Sequence, residues 1–212
     1  MKKIILLSIV FLSIVSISSA QCFKPKEKFI DVGIGLGIQH YRYTDVTNNI
    51  VGQRDTSAAI EVPFAFEYGI LSWLGASING NYAKYFTDDS AANESVKSLD
   101  FVPSVNIHAP FGLNKLDLYG TFGYGYSHFS YVINTSTGGK AIANGSVMNL
   151  GLNLRLLFSS KGHLGMHFWY RYSAYNYNNG VLTDNNGNKA DFKLDGPGHN
   201  FGIGLFFRTP ID

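Results

Sequence analysis

Phe29-Ile30-Asp31-Val32-Gly33-Ile34-Gly35-Leu36-Gly37-Ile38-Gln39 sets Ile30, Val32, Ile34, Leu36 and Ile38 on one parity and Asp31, Gly33, Gly35, Gly37 and Gln39 on the other. Successive side chains of a strand point to opposite faces, so this stretch predicts a strand with one greasy face and one small, wet face. A greasy face needs an apolar solvent or a partner, and much of the chain repeats the problem.

The alternation returns along the sequence. Ile60, Val62, Phe64, Phe66, Tyr68 and Ile70 oppose Ala59, Glu61, Ala65, Glu67 and Gly69. After Leu71-Ser72-Trp73, Leu74, Ala76, Ile78 and Tyr82 oppose Gly75, Ser77, Asn79 and Asn81; in 98–109, Leu99, Phe101, Val105 and Ile107 oppose Ser98, Asp100, Ser104, Asn106 and His108. Beyond Gly112-Leu113-Asn114, Leu116, Leu118, Phe122, Tyr124 and Tyr126 oppose Asp117, Tyr119, Thr121, Gly123, Gly125 and Ser127. Met148, Leu150, Leu152, Leu154 and Leu156 oppose Asn149, Gly151, Asn153 and Arg155. Past Ser159-Ser160-Lys161-Gly162, Leu164, Met166, Phe168, Tyr170 and Tyr172 oppose Gly165, His167, Trp169 and Arg171, and Phe201, Ile203, Leu205 and Phe207 oppose Asn200, Gly202, Gly204 and Arg208. The fold class is therefore all-β, with eight strands joined alternately by long polar connections and tight turns, the longest connection running from Asn176 to Gly198. That rhythm predicts an antiparallel up-and-down transmembrane barrel with short turns and both termini on one side and long loops on the other. Pro63 and Pro103 fall inside strands two and four, where a missing N–H predicts bulges or local breaks.

The first residues supply a route to a membrane. Lys2 and Lys3, the apolar run Ile4 to Ile17 and Ser18-Ser19-Ala20 read as a secretory signal peptide over 1–20, cut between Ala20 and Gln21, with the barrel domain over 21–212. A transmembrane anchor is the competing reading, but the run is short and broken by Ser8, Ser13 and Ser16. Cys22 is the only cysteine, so an intramolecular disulfide and a multi-thiolate metal site are excluded; a lipid-anchored cysteine would need a small residue where Gln21 stands. With Lys2 and Lys3 removed, the 17 basic residues fall to the number of the 15 acidic ones, and nothing points to nucleic acid.

Alternation alone leaves open which face is outside. A soluble lipocalin-like barrel with apolar residues inward around a ligand is the alternative, but it would present Gly33, Gly35, Gly123, Gly125, Gly202 and Gly204 to water and needs no difference between its loop ends. Aromatics near strand ends predict interfacial girdles: Tyr41, Tyr43, Tyr68, Trp73, Tyr85, Phe86, Tyr126, Tyr131, Phe158, Tyr172 and Tyr175. Inward charges sort into two heights, Asp31, Glu67 and Asp117 with Arg155 and Arg208 in the lower level, Glu61 and Asp100 with Arg171 in the upper. Opposite charges at similar heights predict ion pairs that seal a filled lumen rather than a small pore.

From Phe29 to Phe207 the chain resembles the small eight-stranded outer-membrane barrels of the OmpA transmembrane-domain and OmpX type, especially the stand-alone barrels of Bacteroidota; Phe201-Gly202-Ile203-Gly204-Leu205-Phe206-Phe207 is similar to that family's terminal assembly signal. The resemblance implies a Gram-negative outer membrane, contact with outer-membrane lipid and lipopolysaccharide, insertion by the barrel-assembly machinery, and a monomer without cofactor.

Chemistry is sparse. His128 and Ser130 share one face of strand five and resemble the His-x-Ser pair of lipid A deacylases, but no carboxylate follows before Asp184. The run Asp184 to Asn188 lacks calcium-loop spacing, and His108, His163 and His167 read as lumen packing rather than a metal site. Gly138-Gly139-Lys140 lacks the strand and helix of a phosphate loop. Lys84, Lys140 and Arg171 are candidates for lipopolysaccharide phosphates. The expectation is a structural and surface-interaction barrel, not an enzyme, with extracellular loops that carry any ligand recognition.

Overall fold

The computed structural model describes residues 23–48, 50–86, 94–110, 115–133, 139–159 and 163–209, the side chains at 53 and 133 excepted. The expected signal peptide, its cut and Cys22 lie outside these residues, as do the Gly112-Leu113-Asn114 turn and 160–162.

Eight strands follow one another: β1 (Lys28–Asp45), β2 (Ile50–Leu71), β3 (Leu74–Tyr85), β4 (Glu94–His108), β5 (Leu116–Ile133), β6 (Gly139–Leu157), β7 (Leu164–Asp184) and β8 (Lys189–Arg208). Each pairs antiparallel with its neighbour, and β1 pairs with β8 along Phe29–Arg208 to Asp45–Phe192, so the sheet closes into a barrel. Over the length that β3 spans, closure leaves no edge, which is what a sheet in hydrocarbon requires.

The greasy parity faces outward. Ile34 is 58% exposed, Phe122 53% and Leu152 56%, while Asp31, Asp117 and Arg155 on the opposite parity are buried. This overturns the lipocalin-like alternative, because its interior would hold the isoleucines and leucines. The apolar belt ends at an identifiable line. Passing outward along each strand, Ile38 gives way to His40, Tyr82 to Lys84, Leu99 to Lys97, Tyr126 to His128 and Phe201 to His199.

The strands continue past that line. A spanning strand needs about 9–11 residues; β2 has 22 and β7 has 21, whereas β3 has 12. The expected long loop from Asn176 to Gly198 is therefore corrected: it is mostly a β7–β8 hairpin, paired out to Thr183–Lys189 and closed by a turn at 184–188. Beyond the membrane the outward face need not be apolar, and Tyr177, Phe192 and Leu194 are buried on the inward face instead, so the ladder persists where the belt's outward apolar pattern stops.

Pro63 and Pro103 carry no bulge. Pairing of β1 with β2 steps from Val32–Phe64 to Gly35–Glu61 without changing register, and pairing of β4 with β5 steps from Phe101–Tyr126 to Ser104–Gly123 in the same way. Each proline interrupts one ladder locally and pairs in register on its other side, with Asn81 and Ile78 respectively. Register shifts fall elsewhere, at Arg42/Thr44, Gly69/Leu71, Asn144/Ser146 and Tyr177/Gly180.

Candidate functional site

Inward faces of these strands build two very different spaces. At the turn end, β6 delivers Arg155 to the barrel axis, fully buried. Its Nε and Nη2 donate to the two oxygens of Asp31 on β1 (3.1 and 2.6 Å), and Nη1 donates to Glu67 on β2 (2.6 Å) and lies 3.6 Å from Asp117 on β5. The His108 ring sits between Asp117 and Glu67, 2.8 Å from each, and His167 lies 3.3 Å from Asp31. Phe29 and Tyr119 cover the guanidinium at 4.4 and 4.6 Å. Buried charges survive only when paired in this way.

Below the cluster, residues 23–27 fold across the barrel end. Phe23 stacks on His108 at 3.5 Å between centroids and packs with Phe29, Leu157 and Phe206, while Lys26 N donates to Gly69 O at 2.7 Å and Gly69 N to Glu27 O at 2.8 Å. Nothing in the alternation announces this plug, because one phenylalanine in a short polar segment has no period.

Higher up, Arg171 pairs with Glu61 at 2.8 Å. Between the two levels a cavity of about 60 Å³ is lined by Asn149, Asn153 and Trp169, among others. The Trp169 indole reaches across it so closely that a Cβ on Gly33 or Gly202 would lie 2.4 or 2.3 Å from the ring. Gly33, Gly35 and Gly202 therefore make room for a tryptophan rather than a bore.

Two of the expected charge placements differ. Asp100 is held by hydroxyls, Ser127 Oγ at 2.5 Å and Tyr175 Oη at 3.0 Å, not by an ion pair with Arg171. Arg208 pairs with Glu27 at 3.6 Å, below the Arg155 cluster, because β8 ends at the rim. Arg171 faces inward, so it is no candidate for lipopolysaccharide; Lys84 and Lys140 are exposed.

The outer space is a cup beyond the apolar belt, about 660 Å³ in volume. Tyr41, Tyr43, Phe129, Tyr131 and Phe192 line it, with Asp55 on β2 and Glu94 on β4. Its floor is a buried polar layer in which Tyr85 bonds Gln39 and Ser98, and Tyr177 bonds Ser127 at 2.7 Å. Here the girdle expectation is corrected: Tyr68, Trp73, Tyr126, Phe158 and Tyr172 sit on the lipid face or its margins, but Tyr41, Tyr43, Tyr85, Tyr131 and Tyr175 point inward and Phe86 joins the cup rim. Parity carried the signal, since Tyr175 shares its face with Arg171 and Tyr131 shares its face with Ser127.

The remaining candidates do not assemble. His128 lies outward, its Nδ1 2.7 Å from Asn144 Oδ1, which also accepts from Tyr126 Oη at 2.5 Å. His163 stands apart at the turn end, with Nδ1 3.0 Å from Arg208 O. Gly139 and Lys140 begin β6.

No protein-family model and no curated protein matches the chain. Solved structures do. The outer membrane protein OprG from Pseudomonas aeruginosa aligns with a TM-score of 0.66 at 13% identity over 91% of this chain and 100% of its own. The outer membrane protease OmpT from Escherichia coli gives 0.52 at 10% identity over 92% and 100%. A major outer membrane protein from Thermus thermophilus gives 0.51 at 14% identity over 86% and 99%. At such identities the likeness is one of fold, and the fold is that of an outer-membrane β-barrel.

Proposed function

We propose that this protein is an integral outer-membrane barrel of a Gram-negative bacterium, of the OmpA and OmpX type, that acts in recognition at the cell surface and not as a pore or an enzyme. The observation that carries the reading is the division of the lumen: closed at the turn end by the Arg155 cluster and the Phe23 plug, open at the other end as a lined cup. A barrel of eight strands has a bore just wide enough for its own side chains, and Trp169 and the two arginines occupy it. In this reading the apolar belt meets outer-membrane lipid, Lys84 and Lys140 meet lipopolysaccharide phosphates, the barrel-assembly machinery inserts the chain, and the barrel works as a monomer. His128, bonded to an asparagine, gives no support to a hydrolase.

Planar-bilayer recording on the purified barrel tests the proposal. Small or absent currents are expected. A steady porin-like conductance would reject the sealed lumen.

A further inference from the structure

The cup presents a physical anomaly. It lies outside the belt that lipid covers, yet its wall is mostly aromatic and aliphatic: Tyr43 is exposed, Tyr41, Phe129 and Tyr131 are half-buried, and Phe192 is buried against Tyr43. Tyr43 and Phe192 stack at 5.5 Å and Phe129 tilts against Tyr177 at 5.8 Å, so the rings form a fixed lining. A concave apolar space of this size is typical of small-molecule sites, which run to roughly 300–1,000 Å³.

Charge narrows the occupant. Two inward carboxylates, Asp55 and Glu94, project into the cup, and among the described residues its lining contains no lysine, arginine or histidine. Among the described residues neither carboxylate has an ion-pair partner; Asp55 accepts from Tyr41 Oη at 3.3 Å and from Thr56 N at 2.7 Å. The nearby basic residues turn away: Arg42 pairs with Asp195 at 3.0 Å, and Arg54, Lys84 and Lys97 share the outward parity. An anion would meet two like charges. A neutral sugar meets the hydroxyls of Tyr41, Tyr43 and Tyr131 but leaves both carboxylates without a counter-charge. A cation with an apolar body meets ring faces on one side and carboxylates on the other, which is how aromatic cages hold alkylammonium groups.

We infer that the outer cup binds small organic cations, specifically alkylated ammonium compounds with an apolar or aromatic body, with Asp55 and Glu94 as counter-charges and Tyr41, Tyr43 and Tyr131 as the ring surface. This rests on the reading of the protein as a surface-recognition barrel and names the ligand class of that surface.

The test is isothermal titration of the full barrel in lipid nanodiscs with benzyltrimethylammonium, benzyl alcohol, benzenesulfonate and methyl glucoside, empty nanodiscs serving as blank. The cation is expected to bind, the other three to bind at least about tenfold more weakly, and the cation's affinity to fall with added salt. Asp55→Asn with Glu94→Gln, at water-facing positions that leave the ladder intact, is expected to lose roughly tenfold in cation affinity, and Tyr131→Ala to lose a similar factor. Heat-modifiable gel migration establishes that each variant is folded. Equal binding of benzyl alcohol, preferential binding of the sulfonate or the glucoside, no binding of the cation, or full affinity in the double variant would each overturn the inference. None of these outcomes bears on conductance, so a leaky barrel and an indifferent cup remain distinguishable failures.

Discussion

The two ends of the lumen are built from the inward faces of the same strands and solve opposite problems. At the turn end lipid surrounds the wall and no water competes, so every inward charge must find a partner: Arg155 touches Asp31 and Glu67 at 2.6 Å, and His108 bridges Glu67 and Asp117. At the outer end water surrounds the wall, and inside it Tyr177, Phe192 and Leu194 pack as an apolar core beside a cup whose two carboxylates have no ion-pair partner among the described residues. A closed ionic core speaks for stability, and an unsealed apolar cup speaks for a ligand. In the proposed reading scaffold and recognition are stacked along one axis, with the polar layer of Tyr85, Tyr175 and Tyr177 between them.

The sharpest way to break this contrast is to strip a side chain from each end. Arg155→Met leaves Asp31, Glu67 and Asp117 buried with only histidines and, at Glu67, the Asn106 amide beside them, and removing one partner of a buried pair costs about 3–5 kcal/mol. Tyr131→Leu in the cup keeps an apolar wall and is expected to cost under about 1 kcal/mol. Urea unfolding of both variants in lipid bilayers measures the difference; equal losses would make the cup a structural core and remove the division.

A second comparison tests where the belt ends. Leu152 and Ile142 both face outward on β6, the first inside the apolar belt and the second beyond the His128–Asn144 level. Arginine near mid-membrane costs about 2–4 kcal/mol and little at or beyond the interface. Leu152→Arg is therefore expected to unfold at markedly lower urea than Ile142→Arg. If the two are equally costly, the strands do not project and the cup lies in the membrane.

The boundary also explains what could be read from the sequence. Within the belt, lipid outside and packing inside force strict alternation, so all eight strands and the charges at Asp31, Glu67, Asp117 and Arg155 were legible. Outside it the outward face turns polar and apolar residues such as Tyr177, Phe192 and Leu194 turn inward, so the belt's pattern ends and 176–198 reads as a loop while its backbone pairs as a hairpin. Position along a strand alone places aromatics in a girdle; Tyr175 and Tyr131 need parity as well. The Phe23 plug had no signal, since packing across the barrel end depends on a chain reversal at Lys26, whose φ is 69°. Trp169 and the glycines opposite it were each placed inward, but that the one fills the space left by the others is a three-dimensional fact, carried by distances such as 2.3 Å from Gly202.

The smallest expected effect lies at the tip of the β7–β8 hairpin, the part of the wall farthest from the ionic seal. Asp184 accepts from Asn188 Nδ2 at 2.7 Å, from Asn188 N at 2.8 Å and from Asn186 N at 2.9 Å. These bonds, the Asn188 side chain first, favour the carboxylate and hold its pKa below the ordinary value. A depressed folded pKa means the turn's stabilisation is fully present above the ordinary Asp value of about 3.9 and is lost as pH falls through the lower folded value. NMR titration of the Asn186 and Asn188 amides is expected to show the turn intact at the ordinary value and released only below it, with Asp184→Asn flattening the response. Barrel stability should not follow the tip, because the hairpin end contributes nothing to the Arg155 cluster. Titration of Asp184 at or above the ordinary value would remove the local effect, and a barrel that unfolds in step with the tip would mean that the projecting wall and the sealed lumen are one cooperative unit.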